Sequence, residues 1–157
     1  MIKTARALAA AMLVLLLAGC GARIPSDPDG TLDQVRGSVL RVGVSPNEPW
    51  TEVTGDDASG LEVDLVTDFA DSLDASVAWT TGGEESLIGK LERGELDLVI
   101  GGLTAASPWA DKASLTTAYT FAVGPDGAEE AHVMAVPMGE NAFLVELETF
   151  LLGSDVP

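Results

Sequence analysis

The residues able to do chemistry gather in three short segments, with one cysteine and one histidine apart from them. Glu48 and Trp50 lie in Ser45–Trp50, Glu84 in Thr81–Glu85, and Gly101, Gly102, Thr104 and Trp109 in Gly101–Trp109. Glu48 and Glu84 could hold a cation or an amine, or be solvated loop acids. Gly101 and Gly102 could let a ligand approach the backbone closely, or make a tight turn. Thr104 could donate to a ligand or cap the turn that follows. Trp109 could stack on an apolar or cationic group, or pack. His132 is the lone histidine and has no partner at ligand spacing, so it reads as structural and no metal site is expected. GxSxG, HExxH and P-loop motifs are absent, and no pair of carboxylates is singled out by context. A binding protein without catalytic residues or cofactor is expected, rather than an enzyme.

Cys20 is the only cysteine. It follows a basic start (Lys3, Arg6), an apolar stretch from Ala7 to Leu17 and the small pair Ala18-Gly19. That order is the layout of a secretory signal peptide, and LAGC resembles the lipobox of bacterial lipoproteins. The resemblance implies cleavage before Cys20, a thiol carrying fatty acyl chains such as palmitate, and no disulfide. The apolar stretch is short of the about 20 residues of a spanning helix. Two or more acyl chains hold a protein firmly where one does not. The expected location is extracytoplasmic, lipid-anchored to a bacterial membrane in the periplasm or at the cell surface.

Charge narrows the partners. The chain carries a formal net charge of −17, and the leader contributes only cations, so the mature protein is more acidic still. Nucleic acid is excluded first, because affinity for phosphate backbones comes from cationic side chains. The excess acid either attracts cationic ligands or is a solubilising surface.

The elements that must position these segments follow from pattern. Residues 1–19 read as the leader and 20–37 as a lipidated tether rich in Pro, Gly and Asp, with a helical turn over Leu32–Arg36. Residues 38–157 read as one lobe. VLRVGV (39–44) is an apolar strand, and Thr54–Gly60 a loop. From Glu62 the period becomes helical, with Val63, Val66, Phe69, Ala70 and Leu73 on one face. A strand at Ser76–Thr80, a helix through Leu87, Ile88 and Leu91, and the run LDLVI (96–100) complete strand, helix, strand, helix, strand. Short connections predict a parallel sheet with helices packed on it. Ligands on such sheets bind at the carboxyl ends of strands, where the three segments lie. Beyond Gly101, strands are expected at Tyr119–Val123 and His132–Val136 around the turn GPDG (124–127). A last helix runs from Asn141 through Leu151.

In this order, LRVGVSPNEPW (40–50), GLEVDLVTDFADSL (60–73), LIGKLERGELDLVIGGLTAASPWADKASLTTAY (87–119) and HVMAVPMGENAFLVELETFL (132–151) resemble the extracytoplasmic solute-binding proteins of family 3, the polar amino-acid receptors of ABC importers. The resemblance implies an α/β, type II periplasmic-binding-protein-like fold with a mostly parallel sheet flanked by helices. Family members have two lobes, the second inserted after the tyrosine that Tyr119 matches. Here only residues 120–131 separate Tyr119 from the return segment at His132. A strand end and a turn fit there; a lobe does not. The second lobe is therefore expected to be missing, replaced by a hairpin around GPDG.

The resemblance also implies site residues. Trp50 matches the family's aromatic after proline, a candidate wall. Trp109 occupies the place of the arginine that holds a ligand's carboxylate as a bidentate pair, and Trp cannot replace a guanidinium there. Glu84 stands near where the family carries an aromatic. The expectation is a membrane-anchored substrate-binding component, or a reduced relative, taking a small polar or amine-bearing solute weakly. An ABC permease or another binding protein would be its partner, and a homodimer could rebuild a closed site from two open faces. The alternative is an interaction lipoprotein of the cell envelope with no small-molecule ligand.

Overall fold

A computed structural model describes residues 25–55, 57–154 and 156. The expected leader (1–19), the expected lipidation site Cys20 and residues 21–24 of the expected tether lie outside the described residues.

The chain runs α1 (Thr31–Val35), β1 (Val39–Val44), β2 (Glu52–Thr54), β3 (Asp57–Ser59), α2 (Leu61–Ser72), β4 (Ser76–Thr81), α3 (Glu84–Glu92), β5 (Leu98–Ile100), β6 (Ser114–Leu115), β7 (Thr120–Val123), β8 (Glu129–His132), β9 (Ala135–Val136) and α4 (Asn141–Gly153). The main sheet has the order β4-β1-β5-β9-β6. β4, β1 and β5 are parallel, with Val39 opposite Ser76 and Val42 opposite Leu98. β9 and β6 extend the sheet antiparallel.

Period-2 alternation sends the central strands' side chains to two cores. Leu40, Val42, Val44, Leu98 and Ile100 face the layer of α2 and α4, where Val66, Phe69, Phe143 and Leu147 are fully buried. Val99 and Leu96 face α3, against Leu87, Ile88 and Leu91. Gly43 points the same way. A Cβ there would lie 2.8 Å from Leu96 Cδ1 and 3.0 Å from Leu87 Cδ2, so its absence lets α3 sit close on the sheet. The LDLVI run is buried throughout because both its faces are covered.

The hairpin expected around GPDG is present. β7 and β8 pair from Thr120–His132 to Val123–Glu129, closed by Gly124 N–H donating to the Ala128 carbonyl at 2.8 Å. They form a separate two-stranded sheet where a second lobe would be inserted.

Four expectations are corrected. His132 ends β8 instead of opening a strand through Val136; the chain breaks at Val133–Met134 before pairing again as β9. Thr54–Gly60 is mostly a hairpin, β2–β3, which turns Val53 and Ala58 onto the core despite its acids. β6 was not expected at all; two residues carry no period. The tether ends well before residue 37. Asp27 Oδ1 accepts from the N–H groups of Ala142 (2.6 Å) and Phe143 (3.0 Å), capping α4 from a distant part of the chain. The Glu140 carboxylate accepts from the N–H groups of Asp29 and Thr31, both at 2.9 Å.

Phe69 joins the two helices of the larger core. Its ring centroid is 5.9 Å from that of Phe143 and 5.4 Å from that of Phe150. Phe69→Ala should destabilise the fold by about 3–5 kcal/mol, read as a lower urea midpoint with the slope unchanged. A loss below about 1 kcal/mol would mean that α2 and α4 do not depend on this contact.

Candidate functional site

α2 opens with a residue that helical period turns inward. Glu62 lies one turn before Val66 and two before Phe69, so it falls on the apolar face, and it is fully buried. Its N–H donates to the Trp50 carbonyl at 3.1 Å. Its Oε2 accepts from the N–H groups of Gly101 (2.8 Å) and Gly102 (2.9 Å), and its Oε1 from the Tyr119 hydroxyl (2.6 Å). Glu62 thus ties the loop after β5 to the start of the hairpin through its carboxylate, and the loop after β1 through its backbone N–H. Burial pushes Glu62 above its ordinary range, and the three donors oppose this without reversing it. Tyr119 is pushed up as well, by its own burial and by the neighbouring carboxylate.

A cleft of about 590 Å³ opens between these loops and the hairpin. Asn47, Glu48, Pro49 and Trp50 line one side, Gly102 and Thr104 another, and Ala122, Val123, Glu130 and His132 the hairpin side. The Trp50 ring stacks on the His132 ring, with centroids 3.8 Å apart and planes 30° from parallel. His132 is 2% exposed, and its Nδ1 has no hydrogen-bond partner among the described residues. Burial lowers its pKa, against a smaller opposing pull from Glu130. The imidazole is therefore neutral at pH 7.

Four expected site residues meet here: Glu48, Trp50, Gly102 and Thr104. Gly102 has φ 63°, and a Cβ on it would lie 2.6 Å from Trp50 Cδ1, so the tryptophan's position demands glycine. Asn47 Nδ2 donates to the Gly101 carbonyl at 2.9 Å, fixing the same loop. Thr104 pairs across a β-bridge with His132, and its N–H donates to Ser107 Oγ at 3.0 Å. Gly101 is buried against Ser45 and does not line the cleft. Glu84 and Trp109 are brought to each other. Trp109 Nε1 donates to Glu84 Oε2 at 3.0 Å, while the ring packs on the α3 core. Neither lines the cleft.

Sequence reasoning missed Glu62, Tyr119, Asn47, Glu130 and the cleft-side role of His132. Glu62 had a signal: an acid in register with Val66, Phe69 and Leu73 on the apolar face. The others depend on contacts between distant segments, which no local period records.

Comparison with known proteins bears on the family and the fold. Residues 40–133, more than half of the chain, match the bacterial extracellular solute-binding proteins, family 3. The chain is 35% identical over 101 residues to the membrane-bound lytic murein transglycosylase F of Vibrio cholerae, covering 63% of this chain and 19% of that protein. The protein of the same name from Vibrio vulnificus is 34% identical over 91 residues, covering 57% and 17%. The chain thus spans about a fifth of the length of these relatives. Among solved structures, the arginine-bound form of domain 1 from TmArgBP superposes with a TM-score of 0.67 at 21% identity, covering 82% of this chain and 100% of that one. An ancestral cationic amino acid solute-binding protein, AncCDT-1, gives 0.67 at 15% identity over 78% and 93%. At these identities the likeness shows the fold.

The buried carboxylate makes a pH prediction. With a folded pKa raised above 4.5, Glu62 holds its proton in the folded state at pH values where the unfolded chain has released it. Its contribution to stability therefore falls as pH rises from about 4.5 through the folded value. Glu62→Gln can keep the contacts, its amide oxygen accepting from the two glycines and its nitrogen donating to Tyr119. The variant's urea midpoint should decline less than the parent's from pH 4.5 to neutrality. Parallel declines would show that Glu62 carries no proton-linked stability.

Proposed function

The chain belongs to the bacterial extracellular solute-binding proteins of family 3, and from that premise we propose that it captures a small polar or amine-bearing solute outside the cytoplasm, as a lobe anchored to a membrane through lipid on Cys20. Binding rather than turnover is proposed. The cleft is the observation that carries this. It lies at the carboxyl ends of β1 and β5, the side on which open parallel sheets take ligands. At about 590 Å³ it has the size of a small-molecule site. A single lobe leaves one side open, so affinity should be low. TmArgBP supports occupancy of one lobe, because its domain 1 is described as arginine-bound. Delivery to an ABC permease is the proposed use.

A second reading is an interaction lobe of the cell envelope. It is supported by the Vibrio relatives, in which the matched stretch is a small part of a membrane-bound protein named for action on murein. Affinity capture from membranes separates the two: a permease supports solute delivery, and an envelope protein retained without solute supports the second.

Thermal denaturation with amino acids, amines and inorganic cations tests solute capture directly. A ligand at 100 times its dissociation constant adds about 2.7 kcal/mol and raises the midpoint visibly. No shift with any compound would overturn solute capture. Cys20→Ser should move the protein from the membrane fraction to the soluble one with its melting midpoint unchanged. Retention of the variant on membranes would remove the lipid anchor from the proposal.

A further inference from the structure

We propose that the cleft selects cations that carry no carboxylate, meaning amines or guanidinium compounds in preference to the amino acids they derive from. This rests on the solute-binding proposal and names the ligand's class.

The cleft's side chains have one sign. Glu48 and Glu130 line it, and no Lys or Arg does. The Glu130 carboxyl lies across Gly124, another residue of the cleft, where a Cβ would stand 2.6 Å from Glu130 Cδ. His132 adds no positive charge, because burial keeps it neutral. A ligand carboxylate in the cleft would therefore meet two like charges.

The strand-end backbone donors that could offset that repulsion are engaged elsewhere. The N–H groups of Gly101 and Gly102 both point at Glu62, and that of Thr104 at Ser107. The indole N–H of Trp109 is spent on Glu84. Nothing described in the cleft forms a bidentate fork of the kind that recognises carboxylates.

Acceptors and aromatic surface remain. Trp50 offers a π surface beside two carboxylates, which suits a cation. His132 independently points to a donor-bearing ligand. It is 2% exposed on the cleft wall, and its Nδ1 lacks any described partner. Nδ1 is itself buried, so a ligand N–H reaches it only where the Trp50–His132 stack shifts; a carboxylate brings no N–H at all.

The test is calorimetric titration of the full chain in detergent micelles with two matched pairs, agmatine against L-arginine and cadaverine against L-lysine. Each decarboxylated cation should bind at least about tenfold more tightly than its parent, or about 1.4 kcal/mol. Glu130→Gln and Glu48→Gln should shrink that ratio, while Glu85→Gln, outside the cleft, should leave it unchanged. Amino acids binding as well as their amines would overturn the selectivity and leave solute capture standing. A ratio that moves equally in all three variants would also overturn it, assigning the preference to the overall charge of the protein. Silence from all four compounds, with no thermal shift from any solute, would overturn both proposals.

Discussion

The cleft depends on one buried carboxylate. Glu62 stands at the start of α2, accepts two N–H groups from the Gly101-Gly102 turn, and takes the hydroxyl of Tyr119 just before the hairpin. An isolated charge so buried would be costly, and three donors make it tolerable. Their convergence has a geometric consequence. The end of β5 cannot move without exposing two unsatisfied N–H groups, and Tyr119 cannot move without stranding its hydroxyl. Trp50 joins the same cluster, since its carbonyl caps the first turn of α2.

With that cluster fixed, the missing lobe matters less to the fold than its place in the family suggests. The chain leaves the sheet at Tyr119 and returns at His132 through twelve residues. β8 is held on one side by β7 and on the other by the Thr104 bridge and the Ala105 N–H, which donates to the Ala131 carbonyl at 2.9 Å. The hairpin is thus tied to the first lobe's own loop. It brings Glu130 and His132 to the cleft, where a complete receptor would present residues of its second lobe. One wall is rebuilt locally, and the opposite side stays open.

Much of the scaffold was legible because it is periodic. β1 was expected at its observed bounds. The apolar face of α2 and the doubly covered β5 follow from spacings of 3.6 and from continuous apolar runs. The family match rests on the same segments. What escaped notice was set by contact across the sequence. Asp27 caps a helix 115 residues away from it, and its local composition of Pro, Gly and Asp reads as tether. β2–β3 escaped because its core contacts come from single apolar residues, Val53 and Ala58, each flanked by polar neighbours. Of the expected site, Glu48, Trp50, Gly102 and Thr104 converge. Glu84 and Trp109 satisfy each other instead, a pairing of a loop and a helix terminus that sequence order cannot show.

The interaction that assembles the site also bears on the ligand class proposed for it. Backbone N–H groups at a strand end are natural partners for a ligand's anion. Here those of Gly101 and Gly102 are turned to a protein carboxylate on the inner side of the loop. To free them for a ligand, Glu62 would have to lose two donors while remaining buried, at about 1–3 kcal/mol for each unsatisfied group. A small solute on an open lobe has little binding energy with which to drive such a change. The loop therefore offers no free Gly101 or Gly102 N–H to an anion, while the tryptophan and the two glutamates line the cleft, in keeping with the ligand class proposed above. Trp109, where the resemblance places the family's arginine, and the hairpin at the second lobe's place both accord with a cleft lined by no cationic side chain.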